Sequence, residues 1–488
     1  MEREKCQPRR RNSFSKEGKE KRFCKTSKTS FLFLSAAKKE KLTNTRKCAK
    51  IPFGIRIYPN GKEHPNETQL QTHDSRRLCF FLISAFWQAY DTIVPLLLKG
   101  KYGINEEALS GFIMSLDNIL AVVLLPLFGA LSDRTSTRFG RRTPFIVCGT
   151  VAAAVMFSIL GIIGDLWLFI VLLLVTLLSM ATFRSPAVAL MPDVTPKPLR
   201  SKANAVINLM GTAGGMIVLG LGIVFRTNAE GKTDFTAYLA SVSLVMILAL
   251  VVFLLTVREK AWSAEAEDEN RKNEETVGAP TEKHTLSREE KVSLGLILAS
   301  VALWYIGYNA VTSKFTVYTS YVLEGLPYQV ALLTAQAAAI VAFIPVGLVA
   351  SKIGRKRTIL AGVALLCVAF LSASFITIET PAFLMYVLFA LAGIGWATIN
   401  VNSFPMVVEL SGHRDIGKYT GYYYTASMAA QIVTPILSGF LVDLFGWWIF
   451  FPYAAFFVAC AFVTMLLTKH GDSRPEKKSA LESFDVED

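Results

Sequence analysis

The sequence predicts an all-α integral membrane protein of twelve transmembrane helices, arranged as two pseudo-symmetric six-helix bundles. Three observations carry that prediction. Apolar runs of bilayer-spanning length follow one another along the chain, a densely charged stretch interrupts them after the sixth, and a charged connector in the first half recurs in the second.

The first observation excludes a soluble protein. Only 18% of the 488 residues are charged and 52% are hydrophobic, whereas soluble domains average about 25% charged residues. Six apolar runs lie near 78–98, 108–132, 144–163, 166–190, 203–225 and 235–257, and six more near 292–313, 325–350, 358–378, 381–408, 419–442 and 444–468, none with more than one charge. A helix needs about 20 such residues to cross a bilayer. Lipid cannot hydrogen-bond an open backbone, so helices are required, and the runs lack the alternating polarity of a membrane barrel.

The second observation sets the domains. Residues 258–291 ("REKAWSAEAEDENRKNEETVGAPTEKHTLSREEK") are polar, crowded with charge and expected to be flexible. They separate an N-terminal bundle, 78–257, from a C-terminal bundle, 292–468, and a short tail follows at 469–488. Residues 1–77 form a basic tail expected to be disordered. They hold 21 Lys/Arg against 8 Asp/Glu, the whole of the net charge of +13, so the rest of the chain is neutral. This confines basicity to one segment that can touch anionic headgroups and gives no reason to expect a nucleic-acid partner. "FLFLSA" at 31–36 is too short for a signal-peptide apolar region.

Basic connectors set the orientation. "RTSTRFGRR", "KPLRSK", the linker, "SKIGRKR" and "SGHRDIGK" fall on one side, and "GD", "EGLP" and "IET", with a few charges in "KGKYG" and "RTNAEGKTD", on the other. The first set is expected in the cytoplasm, with both termini, in a plasma or inner cell membrane.

The third observation is the connector "GALSDRTSTRFGRRTPFI" at 129–146. A second version, "GLVASKIGRKR", begins 218 residues later at Gly347. Gly347 aligns with Gly129, Gly354 with Gly140, and Arg355 and Lys356 with Arg141 and Arg142, while Ser351 replaces Asp133. Twelve spans in two halves with this repeated G-x-x-x-D-R…G-R-R/K loop resemble the major facilitator superfamily. "SDRTSTRFGRRTPFI", "SPAVALMPDVTPKPLRSKANAVINLMG" at 185–211 and "GKYTGYYYTASMAAQIVTPILSG" at 417–439 resemble more narrowly the sucrose/cation branch of the glycoside–pentoside–hexuronide:cation symporters. The resemblance covers about 78–468. It implies the major facilitator fold, cation-coupled transport of a sugar or glycoside, and a charged gate at the inner ends of spans two and three. In that gate Gly129, Asp133, Arg134, Gly140, Arg141 and Arg142 are the first copy, and Gly347, Gly354 and Arg355 a weaker second copy without the acid. A purely topological role explains the basic charge but not the glycines and Asp133.

Charges inside spans cost roughly 2.5–3.5 kcal/mol each on insertion scales and mark function by default. Asp91 lies in span one, Asp117 in span two and Arg184 in span four. A carboxylate there can exchange H⁺ or hold Na⁺ with neighbouring oxygens, or it can pair with Arg184 as a static link between helices. Lys314, near the end of span seven, reads as a snorkelling lysine. No span contains a histidine, so no histidine proton relay is expected.

A sugar needs aromatic faces for its C–H surface and polar forks for its hydroxyls. Span one offers Trp87 and Tyr90, span five Asn208, span seven Trp304, Tyr308 and Asn309, span ten Trp396 and Asn400, and span eleven Gln431. The competing reading is that aromatics form interfacial belts and amides join helices.

The expected function is therefore a secondary transporter with a small sugar or glycoside substrate, a lipid bilayer around it and no partner subunit. The alternatives are an exporter of amphipathic molecules on the same fold and a membrane sensor. No enzyme, cofactor or metal site is expected beyond the coupling H⁺ or Na⁺. The seven cysteines show neither CxxC nor zinc-ligand spacing, and no nucleophile or nucleotide motif appears.

Overall fold

The computed structural model describes residues 78–195, 200–225, 235–276, 287–410 and 416–471. The tail at 1–77, residues 277–286 of the linker and residues 472–488 lie outside it. Among the described residues there are thirteen α-helices and no strand. The first half contains α1 (Leu78–Gly100), α2 (Glu107–Arg134), α3 (Thr143–Leu160), α4 (Leu166–Val194), α5 (Arg200–Val224) and α6 (Thr236–Thr256). The linker contributes α7 (Glu259–Thr276). The second half contains α8 (Arg288–Tyr321), α9 (Tyr328–Ile353), α10 (Arg355–Ala373), α11 (Ala382–Glu409), α12 (Ile416–Phe445) and α13 (Phe450–Leu467). Eleven of these are long and apolar enough to cross a membrane, and α5 adds a shorter apolar stretch, Asn208–Val224.

Local chemistry explains where the helices begin and end. The Asp165 carboxylate accepts from the Leu168 N–H and caps α4. Ser287 and Glu290 form a reciprocal capping box at α8. Gly354, at φ +94°, turns the chain between α9 and α10 in a region that a side chain disfavours. Gly446, at φ +84°, ends α12, so the last apolar run starts as a short 3₁₀ turn, Trp447–Ile449, before α13.

The helix α7 departs from the flexible linker that its composition predicts. Its sequence is rich in Glu, Ala and Lys, which favour helix, and it buries Trp262 and Ala266 in a contact with α4. Polarity does not distinguish a solvated coil from a helix lying along the end of a bundle.

The halves repeat each other in packing. In the first, α1 packs on α5 and α6, α3 on α4 and α6, and α2 on α4; in the second, α8 packs on α12 and α13, α10 on α11 and α13, and α9 on α11. The halves meet where α2 packs on α12, α5 on α9, and α1 on α8. Apolar residues face outward, among them Leu255 (81% exposed) and Val341 (74%), as suits hydrocarbon rather than water.

Candidate functional site

Three groups of side chains stand out, one at the end of the bundle that carries the basic connectors (the basic face), one in its interior, and one toward the opposite face.

At the basic face the repeated connector is a tightly bonded knot. Gly140 adopts φ +123°, and a Cβ there would lie 2.2 Å from the Glu259 carboxylate carbon. That carboxylate, from α7, accepts from the N–H groups of Arg141 (2.7 Å), Arg142 (2.9 Å) and Thr143 (2.8 Å) and from the Thr143 hydroxyl. It thereby satisfies the exposed donors at the start of α3 and meets the positive end of the helix dipole. Arg142 is 4% exposed. Its guanidinium pairs with Asp133, Ser132 and the Gly129 carbonyl on α2, and with Asp193 on α4 (2.9 Å). Arg141 also pairs with Asp193, at 2.7 Å. Gly129 lets α2 approach α4, since a Cβ there would lie 3.0 Å from the Ser185 hydroxyl. Arg134 is exposed at the end of α2. The knot ties α2, α3, α4 and α7 into one body.

The second copy is simpler. Arg355 pairs with Glu409 at 2.6 Å, which matches the Arg141/Arg142–Asp193 link in the first half. Lys356 donates to the carbonyls of Leu466 (2.9 Å) and Thr468 (2.5 Å). Gly347 is buried in α9, and Ser351 bonds back to Leu348 on its own helix.

In the interior, Trp87, Asp117 and Arg184 line a pocket between α1, α2 and α4, closed by Ala121 and Leu177. The Arg184 guanidinium lies over the Trp87 ring at 5.2 Å, and Asp91 interacts electrostatically with both Asp117 and Arg184. Asp117 accepts from the Asn118 N–H (2.6 Å) and side-chain amide (2.8 Å). The structure thus brings Trp87, Asp91, Asp117 and Arg184 together.

The other residues expected to meet a sugar divide. Tyr90 and Trp304 are fully buried and present no surface to a cavity. Tyr90 packs on Phe86 and points its hydroxyl at the Met114 carbonyl, so it belongs to the core of α1 and α2. Tyr308 and Trp396 stack on each other at 3.7 Å, which covers one face of each ring. Asn208, Asn309 and Asn400 each keep one buried side-chain atom without a hydrogen-bond partner among the described residues. Gln431 is half-buried on α12, beside Ile432, whose carbonyl accepts from Ser115 of α2.

Toward the opposite face a charged seam joins the halves. Glu107, at the start of α2, is 3% exposed and accepts from Lys314 of α8 (3.0 Å) and Lys99 of α1 (2.6 Å). Lys314 is also 3% exposed, so it does not snorkel as its position suggests. Asp443 of α12 accepts from the Glu107 and Ala108 N–H groups, both at 2.7 Å. Backbones touch here. A Cβ on Gly439 would lie 2.2 Å from the Glu107 carbonyl oxygen, and one on Gly111 would lie 2.0 Å from that of Pro435. The Gln329 amide of α9 reaches the Gly222 carbonyl of α5 at 3.3 Å. Apart from Lys99 and Glu107, eight positions apart, these contacts join residues 107 to 336 positions apart, so the pairing does not show in the sequence.

The fold and these sites define a major facilitator. Residues 80–447 match the MFS/sugar transport protein family, and the chain belongs to that family. It is 28% identical over 149 residues to a sucrose transport protein of Arabidopsis thaliana, covering 26% of this chain and 24% of that protein. It is 26% identical over 205 residues to the lactose permease of Lactobacillus helveticus, covering 36% of this chain and 32% of the permease. These matches span about a quarter to a third of those relatives. An inward-open structure of the xylose transporter XylE from E. coli superimposes with a TM-score of 0.63 at 13% identity, over 85% of this chain and 98% of that one.

Proposed function

We propose that the protein is a secondary transporter that moves a sugar or glycoside together with H⁺ or Na⁺ by alternating access. The observation that carries this reading is the interior cluster. In a chain of the sugar-transport family, Asp117 and Arg184 meet at a pocket faced by Trp87, with Asp91 one helical turn from Trp87 on α1 and in electrostatic reach of both, all within the first half. An acid at this depth exchanges a proton or holds a small cation, and the tryptophan and arginine suit a hydroxylated ring. The relatives, a sucrose transport protein and a lactose permease, point to the same substrate class.

The basic face lies in the cytoplasm of a plasma or inner cell membrane in this reading, and both termini with it. The inter-half hydrogen bonds and ion pairs described above lie toward the opposite face, which supports a conformation closed to the outside. Opening then separates α2 from α12 and α5 from α9 there, while the basic-face knot moves as part of the first half. Membrane vesicles containing the protein, given radiolabelled sucrose or lactose and an imposed pH or Na⁺ gradient, test it. Uptake above that of empty vesicles, driven by one of the two gradients, is expected. Equal uptake with and without gradients for every sugar tried removes the coupling, and no uptake removes the function.

A further inference from the structure

Two glutamines that no sugar reading of the sequence selects meet across the halves in the interior. Gln336 of α9 donates its amide to the Gln88 side-chain oxygen of α1 at 2.6 Å, and its own side-chain oxygen is buried without a partner among the described residues. Gln88 follows Trp87, whose ring lines the interior pocket, and stands three residues before Asp91, on the same helix face. Gly215 of α5 completes the junction. A Cβ there would lie 3.3 Å from both glutamine oxygens, tighter than ordinary contact, so a side chain would press on the two amides.

We propose that Gln336 and Gln88 form a hydroxyl-reading element of the sugar site, with Gln336 contributed by the second half and Gln88 by the first. The inference rests on the sugar-transport reading above. A glutamine amide offers two donors and an acceptor oxygen with two lone pairs, and one bond to Gln88 leaves most of that capacity unused. A buried acceptor without a donor is costly, and a sugar hydroxyl supplies the missing donor while accepting from the same amide. The charges of Asp91, Asp117 and Arg184 lie on α1, α2 and α4, so they cannot report the position of the second half. Gln336 can. A hydroxyl that bridges Gln88 and Gln336 is bound in full only when the halves hold the spacing seen here. The plain alternative is that the two amides only join α1 to α9, as polar side chains between membrane helices often do.

The test compares wild type, Gln336→Leu and Gln336→Asn in vesicles, with a panel of monosaccharides and disaccharides and the monodeoxy analogues of whichever is taken up. Gln336→Leu keeps the bulk and removes both polar atoms; Gln336→Asn keeps the amide on a shorter stem and serves as the folding control. Wild type is expected to reject one particular monodeoxy analogue. Gln336→Leu is expected to raise the KM of the parent sugar about 5–100-fold, the range for a buried polar atom that loses its partner, and to leave that analogue unaffected. The ratio of cations to sugar moved stays as in wild type. If Gln336→Leu weakens the parent and every analogue equally, or weakens none, the amides are only a link between helices and the proposal falls while sugar transport stands. If wild type takes up no sugar of the panel, both readings fall.

Discussion

Lys314 and Glu107 meet across the two halves of the protein, 3.0 Å apart and each 3% exposed, although 207 positions separate them in the chain. Lys99 and Asp443 complete a cluster of two cations and two carboxylates, and the Lys99 ammonium also lies 5.0 Å from the Tyr321 ring and 5.2 Å from that of Trp447. Removing one partner of a buried pair costs about 3–5 kcal/mol, because the other charge is left buried and unpaired. For the Lys314 pair that cost falls on the contact between the halves, whereas the Lys99 pair lies within the first half.

Glu107→Gln is therefore expected to open the seam. Reactivity of a cysteine placed at Ser110, buried in α2 near the seam, should rise sharply toward an impermeant thiol reagent added to intact cells. Glu107→Gln combined with Lys314→Met removes both charges and should restore much of the protection. Equal labelling of wild type and Glu107→Gln would show that the pair does not hold the seam shut.

Backbone contact makes a second route to the same state. Gly111→Ala places a methyl 2.0 Å from the Pro435 carbonyl oxygen, where only movement of α2 relative to α12 relieves the clash. The variant should populate the outward-open form without altering any charge. Cross-linking between cysteines at Ser110 and Ser438 reads this directly, with less product expected from Gly111→Ala than from the glycine parent.

Coupling is expected to depend on Asp117 and Asp91. Asp117→Asn keeps the size and removes the charge beside Arg184, so gradient-driven uptake should be lost while exchange of labelled for unlabelled sugar survives in part. Uptake that remains gradient-driven in both Asp117→Asn and Asp91→Asn would move the coupling site elsewhere. Asp193 and Glu409 are poor substitutes, since each already binds arginine at a helix end.

The cap on α3 should prove structural. Glu259→Gln weakens four hydrogen bonds to the Arg141–Thr143 turn by removing their charged acceptor. Bonds to a charged group contribute about 1.5–3 kcal/mol, so a fall of several degrees in the melting temperature of the detergent-solubilised protein is expected, with coupling stoichiometry unchanged. An unaltered melting temperature would mean that α7 is not fastened to α3 in solution.

Orientation is settled by labelling at two exposed positions. A cysteine replacing Ala264 on α7 should resist an impermeant reagent in intact cells and react after permeabilisation. One replacing Glu324, beyond the end of α8, should react in intact cells. The reverse pattern overturns the placement of the basic face.

Eleven of the helices were legible because each is apolar over a bilayer's thickness, and the paired connectors because Gly140 and Gly354 occupy backbone conformations that favour glycine. Asp91, Asp117 and Arg184 stood out by their cost in lipid. What stayed hidden depends on pairing between distant helices. Glu107 looked like an ordinary boundary acid, Gln88 and Gln336 like isolated amides, and Glu259 like one charge of many in a polar linker. Tyr90 and Trp304 show the converse error. Helical spacing places a ring beside a polar residue, but only packing decides whether that ring faces a cavity or the core.

The docking of α7 has a mechanical corollary. Its grip on α3 and α4 makes it part of the first half, so the chain connecting the halves is not the whole linker but the eleven steps from Thr276 to Ser287. Eleven steps of chain span at most about 40 Å, which bounds that connection. Shortening it residue by residue should leave folding intact until it becomes taut, and only then restrain how far the basic face can gape.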